Sequence, residues 1–79
     1  MSDNGRKLRG ISGKEAVKAF KRFDYIERKG KGNHVNLIKP GSPRLTIPLH
    51  GELSVGLLLH EIKKAGLTVE EFLNLLRRG

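Results

Sequence analysis

The stretch Gly30-Lys31-Gly32-Asn33-His34-Val35-Asn36-Leu37-Ile38-Lys39 joins a basic, glycine-rich turn to an alternating segment. From His34 onward the alternation predicts a β-strand, with Val35 and Leu37 on one face and His34, Asn36 and Ile38 on the other. The glycines on either side of Lys31 permit backbone conformations and close approaches that other residues do not allow. The stretch therefore predicts a turn that delivers one histidine to the first residue of a strand.

The position of His34 leaves two interpretations open. Lys29 and Lys31 place positive charge beside it, and an imidazole among cationic side chains suits proton transfer at a phosphodiester. A histidine that begins a strand can equally be a solvent-exposed residue with no chemical role. The pattern of residues alone does not decide between them.

Two more strands are predicted around this segment. The three strands are Tyr25–Lys29, His34–Lys39 and Arg44–Leu49, and the turn between the second and third contains Pro40, Gly41 and Pro43. Pro48 has no N–H group to give to a ladder, so we expect it at a strand end or on a sheet edge. Short turns between the strands predict an antiparallel meander with one apolar face and one polar face.

Helices are predicted on both sides of the meander. Ser12 and Glu15 form a capping box for a first helix that ends near Phe23, and Ser54 caps the second helix. Thr68 and Glu71 form a capping box for a third. Each helix carries an apolar stripe at helical spacing. The stripe residues are Ala16, Val17, Phe20 and Phe23, then Val55, Leu58, Leu59 and Ile62, then Val69, Phe72, Leu73 and Leu76.

These elements close a core only if the helices cover the apolar face of the sheet. The fold class is therefore α+β, an α-β-β-β-α arrangement with a three-stranded antiparallel sheet and helices on one face. The polar face is left uncovered, and function is expected there. With 79 residues, one small domain is expected. Its predicted bounds are 11–79, after a flexible tail at 1–10.

The charge of the chain is strongly positive. Lys and Arg number 16 against 8 acids, a formal net charge of +8, which favours a polyanion or an acidic protein as partner. Four of these cations, Lys14, Lys18, Lys21 and Arg22, share one side of the first helix, where they could bind phosphates or simply be solvated. There is no cysteine, no signal-peptide pattern and no run long enough to span a bilayer, so we expect a soluble cytoplasmic protein.

Metal and cofactor chemistry is not expected. His34, His50 and His60 do not have the spacing of metal ligands, and Asp24 with Glu27 is too small a set for a two-metal nuclease. His50 follows the third strand, either as a second acid or base or as a loop residue with local hydrogen bonds. His60 is expected on the solvent side of its helix.

Several motifs in this order resemble the HicA (YcfA-like) family of toxins. The motifs are the basic Gly32-Asn33-His34 turn, the stretch from Ile47 to Gly51 and the stretch from Ala65 to Leu73. The resemblance runs from about Leu8 to Leu76. It implies a double-stranded-RNA-binding-like fold, cleavage of messenger RNA in a type II toxin–antitoxin pair, and neutralisation by a HicB-like antitoxin. A free monomer and a hetero-oligomer with the antitoxin are expected.

The resemblance also implies a role for individual residues. The essential histidine of the family corresponds to His34. Asn33 stands where serine is frequent, and the second helix begins Gly56-Leu57-Leu58-Leu59 where relatives often carry a threonine and a basic residue. This second departure weakens the expectation of a phosphate contact from that helix.

The predicted activity is metal-independent RNA cleavage. RNA supplies its own nucleophile, the 2′-hydroxyl, and histidine, with an unperturbed pKa of ~6.5, can both accept and donate a proton near neutral pH. His34 is predicted to be the catalytic residue. The predicted RNA-binding residues are Arg28, Lys29, Lys31, Gly32, Asn33 and Asn36. Two alternatives stay open, a non-catalytic double-stranded-RNA-binding module and a protein that only binds an acidic partner.

Overall fold

A computed structural model describes residues 7–78 of the chain. The elements follow the predicted order. They are α1 (Gly13–Lys21), β1 (Ile26–Lys29), β2 (His34–Ile38), β3 (Leu45–Pro48), α2 (Val55–Lys64) and α3 (Val69–Arg77). The predicted α+β fold is confirmed, since α1 to α2 have the α-β-β-β-α order of double-stranded-RNA-binding-like folds and α3 follows as the predicted third helix. In the part of the chain that the structure describes, no helix is both long and apolar enough to cross a membrane.

The predicted helix starts are confirmed. Ser12 and Thr68 each accept a hydrogen bond from the backbone of a glutamate three residues later, and that glutamate accepts one in return. The hydrogen bond from the Ser12 N–H group is the largest of the causes that lower the pKa of Glu15 below its usual value. Ser54 caps α2 alone, through the N–H of Leu57. Local capping chemistry therefore sets where all three helices begin.

The first helix ends two residues earlier than predicted, at Lys21. Asp24 adopts a left-handed conformation (φ 69°), which aspartate tolerates better than most residues, and the N–H of Tyr25 returns to the carbonyl of Phe20. Tyr25 therefore belongs to the helix-ending turn and not to β1, where it was predicted. The other predicted strand ends, Lys39, Arg44 and Leu49, also lie just outside the strands.

The sheet is an antiparallel meander in the order β1-β2-β3. Its register pairs Arg28 with Asn36 and Asn36 with Thr46, so these three residues share one face. The opposite face carries the buried residues Val35, Leu37, Leu45 and Ile47. Pro48 ends β3, which is an edge strand, as predicted.

The core lies between this buried face and the helices. Phe20 of α1 packs on Phe72 of α3 with ring centroids 5.1 Å apart, and the edge of Tyr25 meets Phe20 at 6.0 Å. Leu8 is also fully buried in this cluster. Residues 1–6 of the predicted tail at 1–10 lie outside the described residues. Leu8 also belongs to that predicted tail, yet its side chain is part of the core, so the packed unit begins before Ile11.

The helix α2 covers the outer edge of β3. Glu61 is 5% exposed, and its carboxylate accepts a hydrogen bond from the N–H of Thr46 at 3.2 Å. The Nζ of Lys64 lies 3.3 Å from the same oxygen. A backbone group that an edge strand would leave unpaired is thereby satisfied, and the buried charge has a cationic neighbour.

Candidate active site at the β1–β2 turn

Hydrogen bonds tie the turn before His34 to both neighbouring strands. Gly30 N–H donates to the carbonyl of His34 at 3.0 Å, His34 N–H donates to Lys31 at 3.0 Å, and Leu49 N–H donates to Asn33 at 2.6 Å. Gly32 has a φ of 57°, and a Cβ atom on Gly30 would lie 2.8 Å from the carbonyl oxygen of His34. The turn therefore requires both glycines, Gly32 for its positive φ and Gly30 for its close packing against the backbone of His34.

The turn also orients the imidazole. The Nδ1 atom of His34 lies 3.3 Å from the carbonyl oxygen of Lys31. A carbonyl oxygen only accepts, so this contact favours the tautomer with the proton on Nδ1. The side chain is exposed, and in that tautomer Nε2 carries the free lone pair. This tautomer leaves a proton acceptor, Nε2, on an exposed side chain.

The uncovered face of the sheet carries His34 together with part of the predicted site. Asn36 follows His34 on this face, with Arg28 opposite it on β1. Thr46 Oγ1 donates to Asn36 Oδ1 at 3.0 Å, which holds the amide in place. Ile26 and Ile38 are cross-strand partners on the same face and are 57% and 37% exposed. The face is therefore less polar than predicted, with a small apolar pair beside the polar group.

The other predicted cations occupy different places. Lys29 pairs in register with Val35, so its side chain leaves the sheet on the face that the helices cover. Lys31, Gly32 and Asn33 are exposed in the turn itself. Arg28 thus shares the face of His34 and Lys31 lies in the turn before it, whereas Lys29 lies on the opposite face of the sheet.

A concavity at the His34 end of the sheet, which we call the rim concavity, is lined by residues from both faces of the sheet. It has a volume of about 700 Å³, and both His34 and Lys29 line it, with Gly32 between their strands. The opposite wall contains Lys21 of α1 and Tyr25, whose buried hydroxyl has no hydrogen-bond partner among the described residues. The predictions from sequence did not include Lys21 and Tyr25 in the site. The helical spacing of the lysines on α1 was the available signal for Lys21, and Tyr25 had none.

The remaining candidate groups lie elsewhere. His50 and His60 are exposed, in the loop after β3 and on α2. Within residues 7–78, no three histidine, aspartate or glutamate side chains come together as metal ligands would. Arg22, one of the four cations predicted on α1, donates to the carbonyl of Leu75 at 2.7 Å, near the end of α3. Its guanidinium therefore stabilises the packing of two helices.

Comparison with known proteins identifies the family. The family model described as the HicA toxin of bacterial toxin–antitoxin systems matches residues 13–67, which is more than half of the chain. The matched region runs from the first residue of α1 to the turn before α3, so it contains the whole sheet and the His34 turn. A search of curated proteins gave no match. On the family match and the confirmed fold, the chain belongs to the HicA family of toxins.

Proposed function

We propose that this toxin is a metal-independent endoribonuclease that cleaves single-stranded messenger RNA, with His34 as its proton carrier. The observation that supports this most directly is the contact between the imidazole of His34 and the carbonyl oxygen of Lys31. This contact, made by Nδ1, leaves Nε2 free, at the rim of a concavity that Lys29 also lines. A free imidazole nitrogen beside cations is the arrangement that general acid–base chemistry at a phosphodiester requires.

The reaction uses the nucleophile that RNA already carries. The 2′-oxygen loses its proton and forms a bond to phosphorus, the bond from phosphorus to the 5′-oxygen breaks, and that oxygen receives a proton. The products are a 2′,3′-cyclic phosphate and a 5′-hydroxyl. Nε2 of His34 accepts or donates one of these protons and water exchanges the other, while Lys29, Lys31 and Arg28 offset the negative charge that develops on the phosphoryl oxygens. Gly32, Asn33 and Asn36 contact the sugar–phosphate backbone on either side.

The substitution His34→Gln tests this assignment. It removes the titrating nitrogen while it keeps a polar side chain, so cleavage of a single-stranded transcript should fall by about 10²–10⁴-fold. His60→Gln is the matched control, because His60 is an exposed histidine on α2, away from the turn, and its activity should equal that of the wild type. Cleavage by the wild type should persist in EDTA. Full activity of His34→Gln, or complete loss in EDTA, would contradict the proposal.

A non-catalytic double-stranded-RNA-binding module is the competing function, since it shares the fold and the charge. Such modules bind duplex phosphates with lysines at the start of a helix. The first turn of α2 contains Val55, Gly56 and Leu57 and no cation, which favours the nuclease. The same assay separates these functions: the module would bind RNA without cutting it, and a protein that only binds an acidic partner would do neither.

The family implies an antitoxin as protein partner. We propose that it is a HicB-like protein that presents acidic side chains to the cationic rim at His34, since the chain carries a net charge of +8. The toxin is then a monomer alone and part of a hetero-oligomer in the complex. Size-exclusion chromatography with light scattering, on the toxin alone and on the co-expressed pair, tests both states. A stable dimer of the toxin alone would contradict the proposed monomer, and the absence of a joint peak would contradict the hetero-oligomer.

A further inference from the structure

The rim concavity does not end at the sheet. A second concavity of about 280 Å³ adjoins it and shares three of its lining residues, Lys21, Glu27 and Leu49. This second part runs along α1, where Lys14 and Lys18 line it with Val17. The two parts form one continuous groove from His34 to the start of α1, which we call the α1 groove.

The α1 groove has a cationic rim and an apolar floor. Lys14, Lys18 and Lys21 recur at a spacing of four and three residues, so they stand on one side of α1 over ~10 Å of its length. Lys29 continues the charge toward His34. The floor is aliphatic, from Val17, Val35 and Leu49. Among the described residues that line the groove, Glu27 is the one acid, and its carboxylate pairs with Lys21 at 3.1 Å.

From this lining we propose that the α1 groove binds the single strand of RNA that flanks the scissile phosphate, with its phosphates on the lysines. Proteins that bind single strands use a positively charged groove that follows the sugar–phosphate backbone, whereas duplex RNA is bound across a broad surface by its shape. The proposal rests on the proposed function. It adds Lys14 and Lys18 to the site and gives Lys21, which already lines the concavity at His34, a role in RNA binding.

The double variant Lys14→Gln/Lys18→Gln tests the α1 groove. For a 12-nucleotide single-stranded RNA, the KM should rise by about tenfold at 0.1 M salt with kcat unchanged, because two phosphate contacts are lost. For a dinucleotide, kcat and KM should both stay at wild-type values, because the substrate is too short to reach α1. The matched control is Lys63→Gln/Arg77→Gln, which removes the same charge from the exposed ends of α2 and α3 and should leave the KM of the 12-mer unchanged.

A binding measurement separates this inference from the proposed function. In a His34→Gln background, fluorescence anisotropy gives the affinity for the labelled 12-mer whether or not the wild type cleaves RNA. The logarithm of the affinity falls linearly with the logarithm of the salt concentration, and each contact to single-stranded RNA contributes about 0.7 to the steepness. Loss of the two lysines should therefore make this slope shallower by about 1.4. An equal KM in both double variants, with equal slopes, would overturn the proposal. The proposal would also be overturned if Lys14 and Lys18 contributed to binding a 12-base-pair duplex, or polyglutamate, more tightly than the single-stranded 12-mer.

Discussion

The two faces of the sheet are built from alternate residues of the same strands, yet they differ in almost every physical respect. On β2, Leu37 is fully buried while its neighbours Asn36 and Ile38 are partly or largely open to solvent. The covered face gains its free energy from apolar burial. The uncovered face holds the histidine, an amide network and an arginine. Side chains that stabilise the core therefore alternate along each strand with side chains of the candidate site, so a substitution can change stability without changing activity, or the reverse.

The largest effect on stability is expected on the covered face, for Leu37→Ala. It removes a fully buried side chain from the core, which should lower the free energy of unfolding by about 2–5 kcal/mol. Asn36→Ala is the control on the uncovered face; it removes the hydrogen bond from Thr46 and should cost at most about 1 kcal/mol. Urea denaturation followed by circular dichroism measures both. Equal losses of unfolding free energy for the two variants would show that the two faces contribute alike to stability.

The next effect concerns how closely α1 approaches the covered face. A Cβ atom on Gly13 would collide with the backbone carbonyl of Pro48, whereas one on Gly56 of α2 meets nothing within 4 Å. Gly13→Ala should therefore destabilise the protein by about 1–3 kcal/mol. Gly56→Ala should stabilise it by about 0.5–1 kcal/mol, because alanine is the better helix former. Thermal unfolding of the two variants gives shifts of opposite sign; a stabilised Gly13→Ala would show that α1 can move away freely.

A comparable effect is expected at the edge that α2 protects. Glu61→Leu leaves the N–H of Thr46 without its acceptor in a buried place, at a cost of about 1–3 kcal/mol. Glu61→Gln keeps an acceptor oxygen of the same reach and should lose less. Urea denaturation distinguishes the two, and a leucine variant as stable as the glutamine variant would mean that the hydrogen bond from the Thr46 N–H contributes nothing to this edge.

Local patterns predicted most of the fold. The capping residues Ser12, Ser54 and Thr68 and the alternation from His34 to Ile38 act within a few residues, and the structure confirms each of them. Features that depend on tertiary contacts were not predicted. The closeness of Gly13 to Pro48 and the link from Glu61 to Thr46 join distant segments, so nothing in the neighbouring residues signals them.

The candidate site was predictable to a similar degree. The turn around His34 follows from its glycines and lysines. The position of Lys29 does not, because the register of β1 against β2 decides on which face it lies. The contribution of Lys21 to the rim likewise depends on how α1 crosses the sheet. Sequence therefore locates the histidine, while the shape of the groove beside it requires the packed structure.

The smallest effect is expected for Ile26→Thr on the uncovered face. Ile26 is 57% exposed and faces Ile38 across the strands. Threonine keeps the β-branched shape that strands favour, so only a part of one exposed cross-strand contact is lost, and stability should change by no more than about 0.5 kcal/mol. Val35→Thr keeps nearly the same side-chain shape on the covered face, but it buries a hydroxyl and should cost about 1–3 kcal/mol. The pair is the strictest comparison of the two faces, because burial is what chiefly distinguishes the two sites. If urea denaturation gave the same loss of unfolding free energy for both variants, the exposed isoleucines would contribute to stability as core residues do. The uncovered face would then have a structural role besides the proposed binding of RNA.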